Sequence, residues 1–308
     1  MSPDEIKLLL QERNNGKTWA QIASKLKKYT PNAVKKAYYR HINKPNINIL
    51  LLDIETKPLL AWVWGIWENN VALNQIEQDW SVLSWSAKWL HDDDSQVMYS
   101  DNRKAKDLDD DKKLLIELWE LMDKADVIIA HHGKQFDIPK LYARFAYHGL
   151  NKPSSFDLVD TKQIASSVFG FTSNKLEYLA KFLKVPHKKL TDRKFVGQDL
   201  WTGCIKGVKE AWDEMKLYNE RDVIVLQEVY HRLKKWHKKI NYDVYHDSLE
   251  NVCPSCEGKS FTIHQHKPFI HTKTGRFDRL ICTNPKCGYE LRGRVNLLSK
   301  EKKDSLKK

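Results

Sequence analysis

Asp53 and Glu55 close an otherwise apolar run, "INILLLDIET" at 47–56. Little polar alternation from Ile47 to Leu52 is the pattern of a strand covered on both faces. Taking ionised carboxylates out of water is costly without a counter-charge, so this pair suggests a metal or a basic partner. An ordinary strand tip in solvent is the alternative. Two more aspartates stand where a sheet-centred site needs them. Asp137 follows the short apolar run Val127 to Ala130, within "HHGKQFDIP" at 131–139, where capping a helix ahead of Pro139 is its commoner task. Asp222 falls on the apolar stripe of a helix, four residues after Tyr218 and on the same face; pairing with a nearby lysine is its alternative. If Asp53, Glu55, Asp137 and Asp222 converge, one or two divalent cations make the cluster tolerable, and all-oxygen ligands select Mg²⁺ or Mn²⁺.

A second constellation is sulfur-based. "CPSC" at 253–256 and "CTNPKC" at 282–287 place Cys253, Cys256, Cys282 and Cys287 in two tight turns, which suits one tetrahedral structural Zn²⁺. Disulfides are the alternative, disfavoured by an N-terminus without a signal-peptide core. A module this small has little core without its metal. His264, His266 and His271 are potential spare ligands that read as surface residues of an intervening hairpin, and Cys204 reads as a packing residue.

The elements that must position these groups follow from caps and periodicity. Ser2-Pro3, Thr18 and Thr30-Pro31 open three short helices, the third carrying Lys35, Lys36 and Arg40 away from Val34, Ala37 and Tyr38. Such a unit over 1–44 resembles a homeodomain-like helix-turn-helix, with a plain protein-binding three-helix module as the alternative. Helices are expected over 112–124, 139–148, 175–184 and 211–239, and strands over 126–132 and 156–161. "AWVWGIW" (61–67) and "WSVLSWSAKWL" (80–90) read as strands of a meander; Trp62, Trp64 and Trp67 are expected in the sheet core rather than as base-stacking platforms. Strands followed by alternating helices and strands give an α/β class, a mixed sheet flanked by helices.

The 308 residues allow two or three domains, and no stretch is apolar enough for a membrane helix, so an intracellular, cytoplasmic protein without a membrane partner is expected. Charge is uneven. Residues 1–44 hold ten Lys/Arg against three Asp/Glu and residues 245–308 thirteen against seven, leaving the middle near neutral within a total of +12. Basic flanks around a neutral body point to a polyanion, nucleic acid above all.

"LLLDIET", "AHHGKQFDIP" and "YNERD" resemble the three motifs of the DEDD superfamily of 3′-to-5′ exonucleases, whose ribonuclease-H-like fold includes polymerase proofreading domains. Tyrosine four residues before Asp222, with Leu217 at the alternative histidine position, places the chain with the tyrosine subgroup. The resemblance covers 47 to about 238 and implies roles. Asp53, Glu55 and Asp222 would hold a first Mg²⁺ or Mn²⁺, Asp53 a second, Asp137 would act largely through water on the metals, and Tyr218 would position the attacking water. His132 stands where such proteins often have asparagine, and would touch the terminal nucleotide or simply end a strand.

The resulting expectation is a helix-turn-helix over 1–44, a ribonuclease H-like exonuclease over 45–244, a zinc ribbon over 245–297 and a basic disordered tail over 298–308. Its substrate is DNA, at single-stranded 3′ ends, degraded by a two-metal mechanism. RNA is the alternative substrate, an adaptor built on an inactive nuclease scaffold or an endonuclease of the same broad fold the alternative activities, and protein partners are not legible.

Overall fold

A computed structural model describes residues 1–42, 47–67, 70–187, 194–237, 240, 252–256, 258–285 and 287–306, without the side chains of residues 3 and 39–42. Residues 1–46 and 47–308 form two compact units. In the first, α1 (Pro3–Asn14), α2 (Trp19–Leu26) and α3 (Pro31–Ile42) start where the caps require. Ser2 with Glu5, and Thr18 with Gln21, make reciprocal capping boxes that satisfy backbone N–H groups at the first turns of α1 and α2. Leu9, Ile22, Ala23, Leu26 and Val34 fill the small core, and Lys35 and Lys36 are left exposed on α3. The Arg40 side chain lies outside the described residues.

The second unit is built on a five-stranded sheet in the order β5-β4-β1-β6-β7: β1 (Ile49–Thr56), β4 (Val82–Trp89), β5 (Met98–Asp101), β6 (Val127–Ala130) and β7 (Asp157–Asp160), with β2 (Leu60–Ala61) and β3 (Ile76–Gln78) as a separate two-stranded ribbon. The mixed α/β class expected from the element order is present. β1 is central, antiparallel to β4 and parallel to β6. Its side chains alternate between two cores, as period-two geometry demands. Leu50, Leu52 and Ile54 pack with α4 (Lys112–Asp123) and α5 (Asp137–Tyr147). Ile49 and Leu51 pack with α6 (Thr161–Val168), α7 (Leu176–Phe182) and the 25-residue α9 (Lys209–Leu233). Between them α8 (Asp199–Ile205) leans on α9, where a Cβ at Gly203 would stand 2.7 Å from the Ala211 Cβ, so glycine allows the close approach. The long helix starts two residues before the expected 211 and ends in a single 3₁₀ turn, Lys234–Trp236; residues 238 and 239 lie outside the described residues.

The meander expectation holds for β4, where Trp85 is buried against α4 and donates to the Leu114 carbonyl, and fails for residues 61–67. Trp62, Trp64 and Trp67 are exposed rather than core. Aromatic composition favours a sheet surface only where another layer covers it; β2 and β3 pair through Leu60↔Gln78 and Ala61↔Ile76, and among the described residues nothing buries these three rings.

The cysteine module forms β8 (Phe261–Ile263), β9 (Phe269–Thr272), β10 (Gly275–Cys282) and β11 (Glu290–Arg292), with β9 and β8 pairing successive halves of β10 and β11 on its other edge. It clusters with the sheet body rather than apart from it, and Val252, just before Cys253, is buried in the α9 side of the body's core. α10 (Lys300–Ser305), capped by Ser299 Oγ on the Lys302 amide, stands where a basic tail was expected to be disordered. No helix among the described residues is long and apolar enough to cross a membrane.

Candidate active site and cysteine cluster

The odd-numbered face of β1 changes character at Asp53. Ile49 and Leu51 meet Val223, Leu226 and Val229 of α9, and one strand register further on the apolar pairs give way to acids. Because α9 lies along that face, its stripe changes over the same stretch, from Leu226 and Val223 to Asp222 and Asn219. Carboxylate oxygens of Asp53, Glu55 and Asp222 all lie within 4.8 Å of one another. Opposite ligands on an octahedral Mg²⁺ are about 4.2 Å apart, so the three oxygens fit one shared cation after small side-chain shifts. Oxygen donors alone, close together and half-buried or buried, make a hard-cation site chemically apt.

Neighbours sequence reading missed hold these acids in place. Asn219 Nδ2 donates to Asp53 Oδ2 at 2.6 Å, while its own Oδ1 accepts from Ser84 Oγ at 3.2 Å. Asn219 is fully buried three residues before Asp222, so the stripe argument that singled out Asp222 could have found it. Trp201 Nε1 donates to Glu55 Oε2 at 3.0 Å and lies edge-on to the Tyr218 ring, centroids 5.8 Å apart. No sequence signal joins Trp201 to Glu55, 146 positions away. On β4, Ser86 and Ser84 stand opposite Asp53 and Glu55, small enough to leave room for α9. The register then slips, Glu55 pairing Ser84 but Thr56 pairing Val82, and the extra residue, Leu83, packs under Trp212 and Met215. Bulges of this kind re-aim side chains beside sites.

Asp137 is adjacent but differently engaged. β6 pairs β1 only through Ile49, Leu50 and Leu51, so β1 outruns it, and Asp137 at the start of α5 accepts from the Ile54 amide at 3.2 Å. It is not among the three carboxylates gathered within 4.8 Å. Burial pushes its pKa up to about 7, helped by the nearby Asp160 charge and opposed by the Ile54 amide. Asp160, a further strand-end acid, is committed elsewhere: it accepts from the amides of His132, Lys134, Lys162 and Gln163, capping α6 and fixing the loop after β6. In that loop His132 has φ +74°. Gly133 follows because a Cβ there would sit 2.5 Å from the Ala130 Cβ.

The four cysteine sulfurs also lie within 4.8 Å of one another, with Cys253 to Cys287 at 3.6 Å and Cys256 to Cys282 at 3.5 Å. A tetrahedron of thiolates around Zn²⁺ has edges of about 3.8 Å, whereas a disulfide needs about 2 Å. The donor set fits a tetrahedral metal. Without one, burial raises the Cys253 and Cys282 thiols, the latter to about 11. Cys204 is buried in the α8–α9 contact, a packing residue as expected.

The family model for the RNase_H superfamily matches residues 50–234. A solved structure similar to the chain is the family B DNA polymerase from the hyperthermophilic archaeon Pyrobaculum calidifontis, 16% identical with a TM-score of 0.43, over 62% of this chain and 25% of the polymerase. The chain thus spans about a quarter of that protein's length. No curated protein matches the chain.

Proposed function

The chain belongs to the RNase_H superfamily, and from that premise we propose that it is a metal-dependent 3′-to-5′ exonuclease acting on single-stranded DNA ends. The observation that carries the reading is the gathering of Asp53, Glu55 and Asp222 within 4.8 Å, from a strand and a helix about 170 residues apart in sequence. These three would hold one Mg²⁺ or Mn²⁺ and Asp53 would reach a second, with Asp137 ionised when the site is loaded. Bound cations of this kind supply a more acidic water and neutralise charge growing on a phosphodiester.

The side chains of the protein do the positioning. Asn219 and Trp201 each take one carboxylate oxygen of Asp53 and Glu55, so these acids present a fixed face to ligands. Tyr218, packed against Trp201, offers its hydroxyl to orient the attacking water. His132 meets the terminal nucleotide, and Lys35, Lys36 and Arg40 of the N-terminal unit contact phosphates. One Zn²⁺ on Cys253, Cys256, Cys282 and Cys287 stabilises the C-terminal module.

Incubating the protein with 5′-labelled linear and circular single-stranded DNA and Mn²⁺ tests the reading. A ladder from the linear strand alone supports it. Cut circles mean an endonuclease, and intact substrate means a binding protein on a nuclease scaffold. Labelled RNA run in parallel tells an exoribonuclease apart.

A further inference from the structure

Three indoles stand out from the β2–β3 ribbon. Trp62, Trp64 and Trp67 are 71%, 102% and 82% exposed, with Val63, Ile66 and Leu73 exposed beside them. The ribbon is pinned at its base: the Trp62 amide donates to the Gln75 carbonyl at 2.8 Å, and Gln75 Nε2 donates back to the Trp62 carbonyl at 2.9 Å. Exposed apolar surface on an ordered scaffold marks a binding surface.

The ribbon's place says what it meets. It continues the β1–β4 pair past the acidic end of the sheet: Thr56 pairs Val82, the Lys57 amide donates to the Ser81 carbonyl, and Leu60 pairs Gln78. Trp62 is seven residues beyond Glu55, so its Cα lies at most about 25 Å from the Glu55 Cα, a few nucleotides of extended strand. The tip, residues 60–75, carries no Lys or Arg and a single acid, Glu68, so it lacks the cations that neutralise phosphates. Indole faces hold bases instead, without regard to sequence.

We propose that Trp62, Trp64 and Trp67 stack on the bases of a single-stranded nucleic acid whose 3′ end enters the acidic site, gripping it a few nucleotides upstream. This rests on the exonuclease reading.

The test replaces all three tryptophans with leucine, and separately with alanine, in full-length Asp53→Ala protein, and measures affinity for fluorescent 12-nucleotide oligo(dT) and oligo(U) by anisotropy over a range of salt. Both triple variants should bind each oligonucleotide at least about tenfold more weakly, because two or more stacked bases are lost. The slope of log affinity against log salt should not move, because no phosphate contact is removed. Leucine variants within twofold of the parent overturn the proposal, since leucine keeps the apolar surface and lacks only the ring. So does unchanged affinity with an altered mass by light scattering, which would mean that the ribbon pairs copies of the chain. Wild-type protein assayed with Mn²⁺ keeps the two readings apart: a ladder with undiminished variant affinity defeats the stacking proposal alone, and weakened variants without a wild-type ladder defeat the exonuclease alone.

Discussion

Replacing Asp137 by asparagine should stabilise the protein stripped of divalent cations more at pH 8 than at pH 5. Asp137 is almost wholly buried, and its pKa stands near 7 against an ordinary 3.8. Below about pH 4 the carboxyl is protonated folded or unfolded and contributes no pH dependence. Between 4 and 7 the unfolded chain gives up the proton and the folded one keeps it, so stability falls as pH rises; above 7 the full cost of a buried charge persists. At about 1.4 kcal/mol per pKa unit the ceiling is about 4 kcal/mol, and relaxation and water entry bring the expected effect to about 2 kcal/mol. The asparagine side chain keeps an oxygen for the Ile54 amide and never ionises. The assay is urea unfolding followed by tryptophan fluorescence in a magnesium and manganese chelator at pH 5 and pH 8; ten of the eleven tryptophans lie between 62 and 236. The wild-type minus variant difference cancels the titration of the other acids. A difference that is the same at both pH values, or a variant weaker at pH 8 than at pH 5 relative to wild type, would refute burial as the cause of the raised pKa.

Asp53→Ala should lower cleavage of a 5′-labelled strand by at least about 10³-fold, the scale of several kcal/mol of lost metal-borne charge stabilisation, and leave oligonucleotide anisotropy nearly unchanged. Trp201→Phe keeps the ring against Tyr218 but removes the N–H to Glu55, so kcat should drop about tenfold with little change in KM, and a steady-state comparison reads the split. Asp160→Ala strips the shared acceptor from four amides and should cost about 3 kcal/mol in urea unfolding. Elemental analysis should find one zinc per chain, lost in Cys256→Ser together with the amide-exchange protection of β10.

Much of this was legible because the sequence signals were local. The unbroken run from Ile49 to Leu52 announced a strand with two covered faces, and Asp222 on an apolar stripe announced an acid turned inward. What was not legible depends on contacts between distant segments. Trp201 reaches Glu55 from α8, which packs closely on α9 at Gly203, and no local signal at either residue names the other as its partner. The commitment of Asp160 to four amides looks, in sequence, like one more acid at a strand end. Trp62, Trp64 and Trp67 misled for the opposite reason: aromatic richness reports an affinity for sheet surfaces, and whether a layer covers that surface is decided elsewhere in the chain.

The wide separation of Asp53 and Glu55 from Asp222 along the polypeptide has a consequence for synthesis. While a ribosome is still translating the loops after β7, β1 and its two acids are already made, yet the partner on α9 does not exist. The cluster therefore cannot assemble in a partial product: its three carboxylates come together only once the long helix has been made and packs along the central strand.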